Sequence, residues 1–124
     1  MAENRRLVGD ASNVRDARAL VRSIMGDQAT DVRDVAVLLT DELVTNAVVH
    51  GGGHFVLTAE LGVELLRVVV ADPSPAAPKV LAPSVEQEHG RGMAIVSSLA
   101  TEWGTDAEGK GKEVWFTLAL FAGA

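Results

Sequence analysis

Three separated groups of residues in this sequence could bind one charged ligand. Glu42 and Asn46 stand four apart in a stretch without Gly or Pro, Asp72 follows an apolar run, and Gly90 and Gly92 flank an arginine. Carboxylate and amide oxygens can hold a hard metal ion or a hydrogen-bonding ligand. Main-chain N–H groups beside glycines, at the start of a helix, can hold an anion. These residue types together suit a ligand that carries phosphate.

The residues from Asp31 to His50 have the apolar spacing of an amphipathic helix, which Gly51 and the two following glycines end. At about 100° per residue, Glu42 and Asn46 lie one turn apart on one stripe. The apolar residues of that stripe are Val35, Leu38, Leu39 and Val49. We expect the stripe to face the core, where an unpaired carboxylate or amide costs several kcal/mol. Either a ligand or metal ion satisfies these two groups, or the face is half buried and they are solvated.

Composition predicts one packed domain over residues 1–124. Hydrophobic residues make up 48% of the 124 positions and charged residues 23%, and the net charge is −6. The acidic balance argues against nonspecific nucleic-acid binding, which needs clustered cations. There is no cysteine, and no apolar run approaches the roughly eighteen residues of a membrane span. With no signal peptide recognisable at the start, we expect a cytoplasmic protein that does not bind membranes.

The predicted elements alternate helices with hairpins. Helices are expected after an N-cap at Ser12 to about Met25, from Asp31 to His50, and after Gly92, and strands over His54–Leu61, Glu64–Asp72, Thr101–Thr105 and Glu113–Leu120. This order predicts a two-layer α+β sandwich with a largely antiparallel sheet and helices on one face.

The segment between the second strand and the third helix has an unusual composition. It runs from Pro73 to Glu88 and contains all four prolines of the chain. A long loop of this kind predicts either a lid over a binding site or a passive surface connection. The run Gly90-Arg91-Gly92 then predicts a glycine turn that leads into a helix, which is either a phosphate-binding turn or an ordinary tight turn.

In their order and spacing, Glu42-x-x-x-Asn46, Asp72-x-Ser74 and Gly90-x-Gly92 resemble the N, G1 and G2 boxes of the GHKL ATPases. That superfamily contains gyrase, Hsp90, histidine kinases and MutL. Within it, the form Glu-Leu-Val-Thr-Asn-Ala-Val-x-His-Gly and the ending Gly-Lys-Glu-Val-Trp-Phe look most like the bacterial anti-sigma factor serine kinases. The resemblance extends over about residues 32–120.

The resemblance implies a role for each residue of the first two boxes. Asn46 would give its amide oxygen to Mg²⁺, and Glu42 would be the general base that takes a proton from the attacking hydroxyl. Asp72 would accept a hydrogen bond from the adenine amino group, and Ser74 is counted with the nucleotide-binding residues of the same box. Many relatives have Gly where this chain has Ser74 or Pro75, so the loop after Asp72 is expected to be stiffer in this chain.

The third box and the loop before it would enclose the phosphates. By resemblance, Gly90 and Gly92 would donate main-chain N–H groups, Arg91 would add charge, and the segment from Pro73 to Glu88 would close as the ATP lid. Lys112 stands where many relatives have a Thr near the adenine, so that contact is not carried over.

The implied function is a Mg²⁺- and ATP-dependent protein serine/threonine kinase. It would phosphorylate a small anti-anti-sigma protein of the STAS type and bind a sigma factor when that antagonist is absent. A homodimer is compatible with the resemblance. The alternative is a non-catalytic nucleotide-binding or sequestering module, which would not need Glu42.

Overall fold

In the part of the chain that this computed structural model describes, residues 3–72, 88–108 and 111–121, helices pack against one face of an antiparallel sheet. The helices are α1 (Val14–Met25), α2 (Thr30–His50) and α3 (Glu88–Leu99). The strands are β1 (Glu3–Asp10), β2 (His54–Leu61), β3 (Leu65–Asp72), β4 (Glu102–Glu108) and β5 (Gly111–Ala119).

The strands described by the structure are ordered β1-β2-β3-β5-β4, and every neighbouring pair is antiparallel. The predicted α+β fold, with a largely antiparallel sheet and helices on one face, is therefore confirmed. Both predicted hairpins are present, because β2 pairs with β3 and β4 pairs with β5 as far as Glu108 opposite Gly111. Strand β5 lies between β3 and β4, which brings Lys112 opposite Asp72.

Alternation along the central strands separates a helix-side face from an outer face. The buried helix-side residues include Phe55, Leu57 and Ala59 of β2, Leu66, Val68 and Val70 of β3, and Val114, Phe116 and Leu118 of β5. Asp72 continues the β3 series and Lys112 begins the β5 series, so both belong to the helix side. On the outer face, the Arg67 guanidinium group lies 5.5 Å from the centre of the Trp115 ring.

Strand β1 is the one strand of the described chain that the sequence did not predict. Its residues are largely polar and mostly exposed, and only one of its faces meets the body of the protein. It lies at an edge of the sheet, where Leu7 pairs with Leu57 of β2. A polar edge strand formed by pairing with residues some fifty positions away leaves little local pattern to detect.

The turn into α1 is capped two residues earlier than predicted. A short 3₁₀ turn (Ala11–Asn13) comes between β1 and α1. The Asp10 carboxylate accepts hydrogen bonds from the Ser12 N–H at 2.8 Å and the Ser12 hydroxyl at 2.6 Å. These hydrogen bonds lower the pKa of Asp10. Ser12 is therefore a donor within the turn rather than the N-cap of α1.

Helix α2 has the predicted extent, but its buried face is rotated from the predicted stripe. Its buried residues are Ala36, Leu39, Thr40, Leu43, Val44, Asn46 and Ala47. Two members of the stripe that we expected to face the core, Leu38 and Val49, remain 39% and 44% exposed. Glu42 and Asn46 consequently lie along one edge of the buried face. Asn46 is inside that edge, whereas Glu42 is only partly buried.

Within the described residues, no helix is long and apolar enough to cross a membrane.

Two neighbouring leucines of α2 give a direct test of this orientation. Leu39 is fully buried and Leu38 is 39% exposed. We expect Leu39→Ala to lower the free energy of unfolding by about 2–5 kcal/mol through lost burial and a cavity. The matched control, Leu38→Ala, should cost less than about 1 kcal/mol. Urea unfolding of both variants measures the difference, and equal losses would contradict the orientation of α2.

Candidate functional site

Asn46 presents a buried amide at the edge of the α2 interface. Only 6% of the residue is exposed, and its amide nitrogen has no hydrogen-bond partner among the described residues. Burying a polar group without a hydrogen-bond partner lowers stability by roughly 1–3 kcal/mol, so each such group usually has a structural or functional explanation. Because the two ends of an amide can exchange places by rotation, Asn46 can offer either a donor or an oxygen ligand at this point.

Glu42 lies one turn before Asn46, about 6 Å along the helix axis. Partial burial raises the pKa of the Glu42 carboxyl, and the negative charge of neighbouring Asp41 raises it further. Asp41 itself lies 3.6 Å from the Arg18 guanidinium group of α1. Glu42 thus keeps a proton at pH values where an ordinary glutamate is already ionised, which suits a group that exchanges protons.

Asp72 ends β3 as a buried acid facing the helices. Its side chain is 1% exposed, and the Lys112 ammonium nitrogen lies 3.1 Å from Oδ2 and donates to Oδ1 at 3.2 Å. Lys112 comes from the directly opposed position of β5, and its side chain is 5% exposed. The antiparallel register therefore fixes this buried ion pair.

Gly51 brings the end of α2 into contact with Asp72. A Cβ atom at Gly51 would lie 2.7 Å from Asp72 Cγ, 2.8 Å from Asp72 Oδ1 and 2.6 Å from the Ala47 carbonyl oxygen. The backbone at Gly51 has a φ of −109°, which any residue can adopt. Glycine is therefore needed at this position for its lack of a side chain, not for its backbone conformation. By contrast, Gly52 and Gly53 have φ values of 89° and 92°, which favour glycine.

Gly90 and Gly92 lie within α3, which begins at Glu88, rather than in a turn before it, and Gly90 belongs to the first turn of the helix. The main-chain N–H groups of a first helical turn have no partner within the helix and carry partial positive charge. Helix α3 packs against α2, so this terminus belongs to the same side of the sheet as Asn46. The Arg91 side chain, Ser74 and residues 73–87 of the predicted lid, which was expected to run from Pro73 to Glu88, lie outside the described residues.

The structure brings the helix that carries Glu42 and Asn46 into contact with Asp72 through Gly51. Asp72 touches the glycine that ends α2, and Asn46 lies about 8 Å back along the axis of the same helix. Sequence reasoning missed two contacts of Asp72, one with Gly51 and one with Lys112. The run of three glycines was a signal for the first, but the partner of Lys112 depends on strand order, which no local pattern gives.

A metal ion at this site would have few protein ligands. Within the described chain, no three His, Asp or Glu side chains come together as a metal cluster. Mg²⁺ is often held by one or two protein oxygens, with waters and substrate phosphates as its other ligands. The buried Asn46 amide can supply one such oxygen, so its chemistry fits Mg²⁺ bound together with a phosphorylated ligand.

This chain is similar to known proteins in sequence and in structure. A family model described as a histidine kinase-like ATPase domain matches residues 7–118. The chain is similar to the crystal structure of the RsbU and RsbW domains of Rv1364c from Mycobacterium tuberculosis, with a TM-score of 0.72, 21% identity, and coverage of 95% of this chain and 32% of that chain. It is also similar to the nucleotide-free catalytic domain of the histidine kinase ThkA, with a TM-score of 0.57, 17% identity, and coverage of 94% and 97%.

At these identities, the structural likenesses show the fold. The chain spans about a third of the length of the chain from Mycobacterium tuberculosis. No match was found among curated protein sequences.

We expect Gly51→Ala to disturb the contact between α2 and β3, because its Cβ has no room beside the Asp72 carboxylate and the Ala47 carbonyl. The free energy of unfolding should fall by about 1–3 kcal/mol. Gly62→Ala is the matched control, since the nearest atom to its Cβ would be 3.5 Å away. It should change stability by less than about 1 kcal/mol. Equal effects in chemical unfolding would remove the steric argument.

Removing the charge of Asp41 should lower the pKa of Glu42 while leaving it above that of an exposed glutamate, since burial is the larger cause. Carbon-13 NMR titration of the Glu42 carboxyl in wild type and Asp41→Asn measures this change. Asp34→Asn, the same change at an exposed position of α2, should leave the titration unaltered. A Glu42 pKa that does not respond to Asp41→Asn would contradict the assigned cause.

Proposed function

The chain belongs to the histidine kinase-like ATPase domain family, and from that premise we propose that it binds Mg²⁺ and ATP and transfers the γ-phosphoryl group to a serine or threonine hydroxyl of a partner protein. The main support is the pair on α2, where a buried amide without a partner among the described residues lies one turn from a partly buried carboxyl of raised pKa. Phosphoryl transfer to a hydroxyl uses both a metal ligand and a base.

Asn46 would hold Mg²⁺ through its amide oxygen. Bound with ATP, the ion would neutralise negative charge on the phosphates. The low exposure of Asn46 limits competition from bulk water at this ligand. Its position on a long helix packed into the core keeps the oxygen in one place, so little ordering is needed when the nucleotide binds.

Glu42 would act as the general base. It takes the proton of the attacking hydroxyl as that oxygen bonds to the γ-phosphorus and the bond to the ADP oxygen breaks. The raised pKa makes Glu42 a stronger base than an exposed glutamate. As the pH falls through this raised pKa, Glu42 becomes protonated and the transfer rate falls with it.

Asp72 would bind the base of the nucleotide. Its carboxylate lies on the helix side of the sheet, against Gly51 at the end of α2. The α3 N-terminus, which includes Gly90, would donate main-chain N–H groups to the phosphates, and by resemblance Gly92 would take part in the same contact. By resemblance, Ser74 and Arg91 would add contacts to the nucleotide.

The dimensions of α2 suit a ligand of this shape. From Gly51 back to Glu42, the helix extends over about 13 Å. A base held near Gly51 and phosphates held near Asn46 would therefore lie along the helix rather than across it. In this arrangement the transferable phosphoryl group would lie at the Glu42 end.

We infer the partner from the sequence motif that begins at Glu42, which resembles that of anti-sigma factor serine kinases, and from the likeness to a structure with an RsbW domain. The substrate would be a STAS-type anti-anti-sigma protein, and a sigma factor would be the protein bound in its absence. Such a regulator of transcription would act in the cytoplasm, and a homodimer is compatible with this role.

Two substitutions on α2 separate binding from transfer. Glu42→Gln should reduce phosphorylation of a STAS-type antagonist by at least about 100-fold, because the base is lost. Its affinity for ATP with Mg²⁺ should stay within about threefold of wild type. Asn46→Ala should weaken that affinity by about tenfold or more, and removing Mg²⁺ with EDTA should abolish the difference from wild type. Calorimetry and mass spectrometry of the antagonist provide the two measurements.

Thr45→Ala is the control for these variants, because Thr45 lies on the same turn of α2 and has no role in the proposed site. Full transfer by Glu42→Gln would overturn the assignment of the base. Wild-type protein that binds ATP but transfers no phosphoryl group would favour the non-catalytic binding module.

A further inference from the structure

The exposed side of α1 carries two arginines that have no partner within the described chain. Arg15 and Arg22 stand seven residues apart, which brings them to nearly the same side of the helix, about 10 Å apart along its axis. Ala19 lies between them, and all three residues are exposed. Among the residues that the structure describes, neither guanidinium group makes a hydrogen bond or an ion pair. We call Arg15, Ala19 and Arg22 the arginine face of α1.

The acidic side chains closest to this face are engaged elsewhere. Arg18, the third arginine of α1, lies 3.6 Å from Asp41 of α2. Asp16 accepts a hydrogen bond from the Asn13 amide at 2.9 Å. Arg18 also stands three and four residues from the two arginines of the face, and like charges at these spacings repel each other. The arginine face therefore carries an electrostatic cost that an acidic partner would remove, although the whole chain has a net charge of −6.

The residue types on this face suit contact with a protein. All three cations of α1 are arginines. A guanidinium group has five N–H donors in a flat fork that matches a carboxylate, and it is less strongly hydrated than an ammonium group. Arginine is enriched in protein interfaces, whereas lysine is depleted there. Nucleic acid fits less well, because it needs many clustered cations and this protein is acidic overall.

Helix α1 lies beside the helix that carries the proposed general base. The two helices pack together, and the ion pair between Arg18 and Asp41 joins them at the residue before Glu42. The axes of packed helices are about 8–10 Å apart. A folded protein that rests on the arginine face is therefore large enough to reach across α2 to Glu42.

We propose that the arginine face of α1 docks an acidic helical segment of a partner protein, in which two carboxylates about 10 Å apart bind Arg15 and Arg22. Carboxylates seven residues apart on a helix have this spacing. Each guanidinium group donates two parallel hydrogen bonds to one carboxylate, and the small side chain of Ala19 leaves room between them. The identity of the partner rests on the proposed function: it is the protein whose hydroxyl group receives the phosphoryl group.

Two synthetic helical peptides test the docking surface directly. One has two glutamates seven residues apart, and the other has glutamines at the same positions. In NMR titrations, the glutamate peptide should shift the Nε–H signals of Arg15 and Arg22 more than that of Arg6. Its affinity should fall by about tenfold or more in Arg15→Gln combined with Arg22→Gln, and the glutamine peptide should bind wild type about as weakly.

The matched control combines Arg6→Gln with Arg67→Gln, which removes the same charge from the outer face of the sheet. It should keep the affinity for the glutamate peptide within about threefold of wild type. Equal losses in the two double variants, or equal binding of the two peptides, would overturn the inference. So would a single-stranded DNA oligonucleotide that binds the arginine face more tightly than the glutamate peptide, since the face would then belong to nucleic acid.

Transfer kinetics separate this inference from the proposed function. With the antagonist protein as substrate, Arg15→Gln combined with Arg22→Gln should raise KM by about tenfold or more and leave kcat within about threefold, because docking is the same before and during transfer. An unchanged KM overturns the role of the arginine face and leaves the proposed transfer intact. If wild type transfers no phosphoryl group, the proposed function fails, and the peptide titrations decide whether the docking surface stands.

Discussion

The close contact between the end of α2 and the end of β3 is the constraint on which the rest of the site depends. Gly51 lies so near the Asp72 carboxylate that a methyl group would not fit between them. This contact fixes how far α2 advances over the sheet, and therefore where Asn46 and Glu42 stand relative to Asp72. The sheet also holds the Asp72 carboxylate in position, because β5 brings Lys112 against it.

The proposed site has two ends with different chemistry. At one end, Glu42 and Asn46 combine a carboxyl of raised pKa with a buried amide, which suits proton transfer and metal binding. At the other end, Asp72 forms a buried ion pair with Lys112 beside Gly51, and its carboxylate is proposed to bind the base of the nucleotide. Both ends are held by elements of the core, so the binding groups are ordered before a ligand arrives.

Local pattern predicted the elements whose residues carry a strong signal of their own. Helix α2 and the hairpin of β2 and β3 were predicted nearly to their ends, because glycines bound them and apolar residues recur at the right period. Leu38 and Val49 of α2 were predicted to face the core but are exposed. Because α2 has apolar residues on most of its sides, the sequence pattern alone does not show which side is buried. Strand β1 and the Lys112 contact escaped prediction because both depend on pairing between distant strands.

The central claim, that a nucleotide binds along α2 on the helix side of the sheet, is tested most directly by NMR. Backbone amide shifts would be followed while Mg²⁺ and ATP are added to the wild-type protein. The account predicts the largest changes at Asn46, Gly51, Asp72 and Lys112, with little change at Arg67 on the outer face. Changes centred on the outer face, or no change at saturating nucleotide, would contradict it.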